Sequence, residues 1–184
     1  SEAAERGTEK HKELERDTEK ADALLSEAGL TPIPGAEQKR EAAYAYDVDT
    51  GAVRFLGHGR EAYAAANLQP REIPGTLDYL ERTETDAQVV DYKSGRAEFQ
   101  PVAADSYQLG FAALVAERPT VRVAFVFTAD EGRPWARWAD YDEFDLAEWR
   151  SKMRRLADRV DAARADVAAG RAPPTVEGPH CTYC

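Results

Sequence analysis

The chain opens on a helical rhythm. Gly7, His11, Leu14, Thr18, Ala21, Leu25 and Ala28 recur at steps of three and four, which predicts a helix over residues 2–28 with His11 on its inward stripe and Gly29 as its stop. Residues 31–35, TPIPG, read as a turn-rich connector. The period then shortens towards two. Residues 41–57 predict a hairpin turning at Asp49, Thr50 and Gly51, and residues 60–68 one or two helical turns. Two more strands are expected at 73–82 and 86–93, separated by the polar turn TETD. A helix follows around 105–117, with Tyr107, Phe111, Leu114 and Val115 as its apolar side. The strongest strand signal is TVRVAFVFT at 120–128, with an antiparallel neighbour at 134–144. Leu146, Trp149, Met153, Leu156, Val160 and Val167 trace one stripe of a long helix over 145–169. Helix, strands, helix, two strands, helix is an α/β or α+β order: a central sheet flanked by helices.

A length of 184 residues suits one domain with a substantial core. The expected division is a domain over 1–170 and an irregular Pro/Gly-rich tail over 171–184 that carries both cysteines. No run of about 18 apolar residues is present and the first residues are too charged for a signal peptide, so a cytoplasmic protein without a membrane partner is expected. The formal charge of −10 argues against a surface that binds nucleic acid everywhere, because phosphate binding depends on Lys and Arg; a small basic site remains compatible with it. Cys181 and Cys184, in HCTYC, are too close for a disulfide between them to stabilise a fold. Metal ligation or redox chemistry is the better reading.

The stretch VVDYKSGR at 89–96 departs from the strand pattern. Alternation puts Val89, Asp91 and Lys93 on one face and Val90 and Tyr92 on the other, so an acid and an ammonium share the end of an apolar strand. In the preceding strand, after Pro74 and Gly75, which read as turn-forming, Thr76, Asp78 and Leu80 share a face. If these strands pair as a hairpin with Asp78 and Asp91 inward, two carboxylates and one lysine meet. Such carboxylates repel unless a cation lies between them, and oxygen ligands with water suit Mg²⁺ or Mn²⁺. A cation there would activate water and stabilise charge on a phosphate, with the lysine as a point charge beside it. The arrangement therefore points to phosphodiester cleavage.

The ordered set RGTEKH (6–11), PGTLDYL (74–80), VVDYKSGR (89–96) and YQLGFAAL (107–114) resembles the PD-(D/E)XK nuclease superfamily, and within it the RecB-like branch that includes CRISPR-adaptation exonucleases. The resemblance implies a restriction-endonuclease-like mixed sheet and metal-dependent hydrolysis of DNA, single-stranded or at duplex ends. It makes His11 a metal ligand, Asp78 and Asp91 the two motif acids and metal ligands, and Lys93 the motif lysine. Gln108 becomes the glutamine that opens the branch's Q-x-x-x-Y motif, although the tyrosine's place is taken by Ala112. Relatives with an iron–sulfur cluster place one cysteine before the first helix and three near the C-terminus. Cys181 and Cys184 would be two of these, and a 4Fe–4S cluster, which needs four thiolates, forms only if further cysteines lie outside this chain. A segment of a longer protein, working with other subunits or domains of a DNA-processing complex, is the corresponding expectation.

Each residue also has a plainer reading. His11 can be a hydrogen-bonded core histidine, Asp91 and Lys93 an ion pair at a strand end, and Gln108 an amide on a helix surface. Glu41 reads as a solvated carboxylate and His58 as a loop residue. Arg150, Lys152, Arg154, Arg155 and Arg159 read as a solvated helix face balanced by Asp158 and Asp161. Trp135 and Trp138 fall out of phase on their strand, so one is expected in the core, while the other is free to cover the edge or to stack on a base. The alternative function is a DNA-binding or assembly module that keeps the fold without turnover.

Overall fold

The structure is a computed structural model that describes residues 18–94, 100–128 and 133–172. Six strands form one mixed sheet in the order β2-β1-β3-β4-β5-β6. They are β1 (Glu37–Asp47), β2 (Val53–His58), β3 (Glu72–Arg82), β4 (Asp86–Lys93), β5 (Thr120–Phe127) and β6 (Trp135–Tyr141). The helices are α1 (Thr18–Glu27), the short α2 (Arg60–Ala64), α3 (Tyr107–Ala116) and α4 (Glu143–Ala168). Every neighbouring pair is antiparallel except β4 and β5. That parallel step needs a crossover, and α3 supplies it. The α/β reading, a restriction-endonuclease-like mixed sheet between helices, holds.

Alternation along the strands divides the core in two. On one face Leu80, Val89, Phe125 and Phe127 pack against α3 and α4 through Leu109, Phe111, Leu146, Trp149 and Met153. On the other, Tyr79, Val90, Tyr92, Ala124 and Val126 pack against Ala21 and Leu25 of α1 and against Leu30. Val89 and Val90 thus point to opposite faces, as the period of two requires. The helix stop at Gly29 is also as read: Gly29 has φ +83 and the Leu30 amide donates to the Leu25 carbonyl at 2.9 Å. The predicted part of the first helix before residue 18 lies outside the described residues.

Four expectations are corrected. Pro74 and Gly75 lie inside β3, paired with Ala45 and Tyr44 of β1, rather than in a turn. Proline is tolerated there because the β3–β4 ladder begins only at Tyr79, so the missing N–H faces no partner strand. The third helix starts later than expected: Ala103–Asp105 form a 3₁₀ turn and Ser106 caps α3, its hydroxyl accepting from the Leu109 amide at 3.3 Å. Helix α3 is buried on every side from Leu109 to Ala116, so its apolar surface is no single stripe, and Tyr107 is half-exposed. Neither tryptophan of β6 is core; Trp135 is 42% and Trp138 50% exposed, on opposite faces of an edge strand.

Helix α4 is fixed at its start by a reciprocal cap. The Asp142 carboxylate accepts from the amides of Phe144 (2.8 Å) and Asp145 (3.0 Å), and the Asp145 carboxylate accepts from the Asp142 amide (3.1 Å). Further along, the exposed face that carries Val160 and Val167 leaves the sheet, so the apolar stripe is in use only as far as Ala157. Arg71 ties this outer part to the β1–β2 turn, donating to Asp49, Asp158 and Asp161 at 2.8–3.0 Å.

The α3–α4 contact depends on Gly110, where an added Cβ would lie 2.3 Å from the Trp149 ring. Trp149 is almost wholly buried and cannot retreat without moving α4. Gly110→Ala should therefore destabilise the protein by roughly 1–3 kcal/mol through overpacking, offset in part by alanine's better helix propensity. A denaturant melt checks this, and a variant as stable as the wild type would show that the two helices separate freely.

Candidate active site

Strands β3 and β4 part where the acids begin. Their antiparallel ladder pairs Arg82 with Ala87, Glu81 with Gln88, Leu80 with Val89 and Tyr79 with Val90, then stops. The same register brings Asp78 level with Asp91. In place of the next ladder bond, the Tyr92 amide donates to Asp78 Oδ2 at 2.8 Å. From there β3 continues beside β1 and β4 beside β5, which leaves a fork in the sheet.

Helix α3 lies over that fork. Lys93 Nζ is 2.7 Å from Asp91 Oδ2 and donates to Gln108 Oε1 at 3.0 Å, while Gln108 Nε2 donates to Asp91 Oδ1. Asp91, Lys93 and Gln108 therefore form a closed three-membered ring in which Oδ1 of the carboxylate accepts from the amide and Oδ2 makes an ion pair with the ammonium. Asp91 is 8% exposed and lies between the ammonium and the amide. Alternation on β4 puts Asp91 and Lys93 on the α3 face, and the capped first turn of α3 brings Gln108 down onto them.

A cleft of about 670 Å³ opens at the fork. Asp78, Asp91, Gln108 and Tyr107 line it on the polar side, and Gly75 and Phe111 on the apolar side. The Phe111 ring lies where a Cβ of Gly75 would be, 2.4 Å from that position, so the glycine in β3 is what lets α3 come close to the acids. Ala112, the residue at the tyrosine position of the Q-x-x-x-Y pattern, is buried in the cleft wall.

The four residues Asp78, Asp91, Lys93 and Gln108, from two strands and a helix, are thus brought to one place. His11, Cys181 and Cys184 lie outside the described residues. Among the described residues no group of three or more His, Cys, Asp or Glu side chains is clustered to hold a metal ion. The donor chemistry of Asp78 and Asp91 still fits a hard divalent cation, because such ions are commonly held by one or two carboxylates with water and substrate phosphate completing the shell. A cation held by Asp91 would share with Lys93 and Gln108 the oxygens they now occupy.

The other ionisable residues singled out in the sequence have structural places. His58 Nδ1 is 2.9 Å from the Arg40 carbonyl oxygen at the end of β2. Arg154 donates to the carbonyls of Val48 and Asp49, and Lys152 pairs with Glu148 one turn away. Glu41 is half-buried, with φ +45 at an irregular point of β1 between the Arg40–Tyr79 and Ala42–Leu77 pairs, rather than a freely solvated carboxylate.

One buried acid escaped the sequence reading. Glu81, on the face opposite Asp91, is fully buried and accepts from the Tyr79 hydroxyl (3.0 Å), the Gln88 amide (2.6 Å) and the backbone N–H of Ile33 (3.1 Å). It anchors the TPIPG connector to the sheet behind the site. The only signal available in sequence was the adjacency of Glu81 to an apolar run, which does not distinguish a buried acid from a solvated one.

A model of the PD-(D/E)XK nuclease superfamily matches residues 2–184. The chain belongs to that superfamily, whose members are nucleases and generally use divalent metals such as Mg²⁺. Among solved structures it is similar to the crystal structure of SSO0001, at 14% identity and a TM-score of 0.39, over 85% of this chain and 61% of that one. The chain thus spans less than two thirds of that structure's length. No curated protein matches. No helix among the described residues is long and apolar enough to cross a membrane.

Burial raises the Glu81 carboxyl above the ordinary carboxylate range, against the lowering effect of its three hydrogen-bond donors. A folded-state pKa raised above the unfolded value gives stability that is full below the unfolded value of about 4.3 and is lost as pH rises through the folded one. Glu81→Gln stays neutral and escapes that loss. The melting temperature of the variant minus that of the wild type should therefore increase from about pH 4 towards pH 8; a difference that does not vary with pH would mean that Glu81 titrates alike folded and unfolded.

Proposed function

We propose that this chain is a metal-dependent DNA nuclease domain of the RecB-like branch, exonuclease-like in action and working in DNA repair, recombination, CRISPR or phage DNA processing. The observation that carries the reading is the convergence of Asp78, Asp91, Lys93 and Gln108 on one fork of the sheet beside an open cleft. Asp78 and Asp91 would hold Mg²⁺ or Mn²⁺, with His11 as a further ligand. The bound cation would supply Lewis-acid stabilisation of the phosphate and a more acidic water.

The chain's own groups have separate tasks. Asp91, charged and fixed by two partners, keeps a single orientation at the cleft. Lys93 is a mobile point charge: its Nζ exchanges Asp91 for a phosphate oxygen or the attacking water when substrate arrives, and it stabilises the charge that grows in the transition state. Gln108 bridges both and aligns them, its amide donating to the acid while its carbonyl oxygen accepts from the lysine. Phe111 and Ala112 form the dry wall that strengthens these interactions by excluding water.

A second reading is supported by one feature, the alanine at position 112. With no tyrosine there the Q-x-x-x-Y pattern's own phenol is missing and Tyr107 is the phenol that lines the cleft; a DNA-binding or assembly module of the same fold would bind divalent cations without cutting any form of DNA. A CxxC pair at the C-terminus, together with cysteines elsewhere in a longer protein, would extend either version with an iron–sulfur cluster.

End-labelled DNA incubated with Mg²⁺, Mn²⁺ or EDTA tests the proposal. The wild type should cut only with a divalent metal. Lys93→Ala should lower the rate by roughly a hundredfold or more while retaining metal binding, as for loss of one positioned charge or proton carrier in the transition state. A Lys93→Ala variant that cuts at the wild-type rate would remove the lysine from the mechanism.

A further inference from the structure

The register of the sheet extends the cleft sideways. Lys93 pairs with Phe127 across β4 and β5, and Phe127 pairs with Trp135 across β5 and β6. Asp91, Phe125 and Arg137 form the adjacent row. Residues directly level across a sheet share a face, so these two rows run from the acid and the lysine to the open edge on the side covered by α3.

The rows end in an aromatic and cationic surface. Trp135 stacks on buried Phe127 with ring centroids 4.4 Å apart and planes within 21°, yet remains 42% exposed. The Arg137 guanidinium lies 5.7 Å from both rings and is steadied by the carbonyls of Gln100 and Pro101 at 3.2 and 3.3 Å. Two strand spacings, about 10 Å, separate the Lys93 and Trp135 backbones. That is within reach of a neighbouring nucleotide of a strand whose phosphate lies at Lys93.

We propose that Trp135, backed by Phe127 and flanked by Arg137, is a stacking platform for an unpaired base next to the scissile phosphate, which makes single-stranded DNA or a frayed end the preferred substrate. This rests on the nuclease reading of the fork. An indole already held by a buried ring costs little further ordering when a base lies on it, and the guanidinium supplies the charge that a neighbouring phosphate needs. Bases within a duplex have both faces covered by their neighbours, so only an unpaired base can use the platform. Trp138 supplies the internal contrast: as exposed as Trp135 and three residues away, it lies on the opposite face, with no row leading to Lys93.

The test compares wild type, Trp135→Ala, Trp135→Phe and Trp138→Ala in the full chain. Anisotropy of a labelled single-stranded oligonucleotide in EDTA reads binding, and cleavage of that strand and of a blunt duplex in Mn²⁺ reads selection. Trp135→Ala should weaken single-strand binding by about tenfold and lower the single-strand to duplex cleavage ratio by a similar factor. Trp135→Phe should recover most of the loss, and Trp138→Ala should match the wild type. Trp135→Ala with unchanged binding and an unchanged ratio would overturn the platform and leave the nuclease reading intact. Equal losses in Trp135→Ala and Trp138→Ala would also overturn it, as a general effect of β6. A wild type that binds the strand through Trp135 but never cuts it would keep the platform as a binding site and remove the nuclease reading instead.

Discussion

One hydrogen bond organises the site: the Tyr92 amide donates to the Asp78 carboxylate where the β3–β4 ladder would otherwise continue. A backbone donor at a buried strand end must find an acceptor, and a side chain that supplies it leaves the two strands free to separate. The fork, the cleft within it and the level placement of Asp78 and Asp91 all follow. Apolar residues beyond the fork remain buried, since β3 keeps β1 and β4 keeps β5 as partners. The sheet therefore opens at low cost to its core.

The second constraint is the closeness of α3. Gly75 admits Phe111 from below, and Gly110 admits Trp149 from above, so α3 is held between the sheet and α4 without room for a methyl group on either side. Gln108 reaches Asp91 and Lys93 because that height is fixed. The electrostatics repeat the logic on the other face of β3, where Glu81 is held by three donors and ties the connector before β1 to the sheet. Of these two buried acids, Asp91 faces an open cleft and an ammonium, whereas Glu81 faces neutral donors only. Their surroundings, and not their residue type, separate a site from a strut.

Much of this was legible in the sequence because alternation is a local property. The strand 86–93 and the shared face of Asp91 and Lys93 follow from a period of two, and pairing of the 73–82 strand with it followed from a short polar turn. What period alone could not carry is tertiary. Pro74 and Gly75 look like a turn in isolation and are accommodated in β3 only because no strand pairs with its outer side at that point. Trp135 and Trp138 look like core candidates until the sheet order makes β6 an edge. Glu81 has no local signature at all, since its burial depends on a connector 48 residues earlier. Three of the expected site residues, His11, Cys181 and Cys184, lie outside the described residues, so the fork is built from the other four.

In the reading we propose, Asp78 and Asp91 together hold a divalent cation at the fork. Titration of the full chain with Mn²⁺, followed by electron paramagnetic resonance of the free ion, measures this without reference to turnover. The wild type should bind saturably, and binding should be lost in both Asp78→Ala and Asp91→Ala while each variant keeps its fold by circular dichroism. Binding that survives in both folded variants would contradict it and move the metal away from the fork.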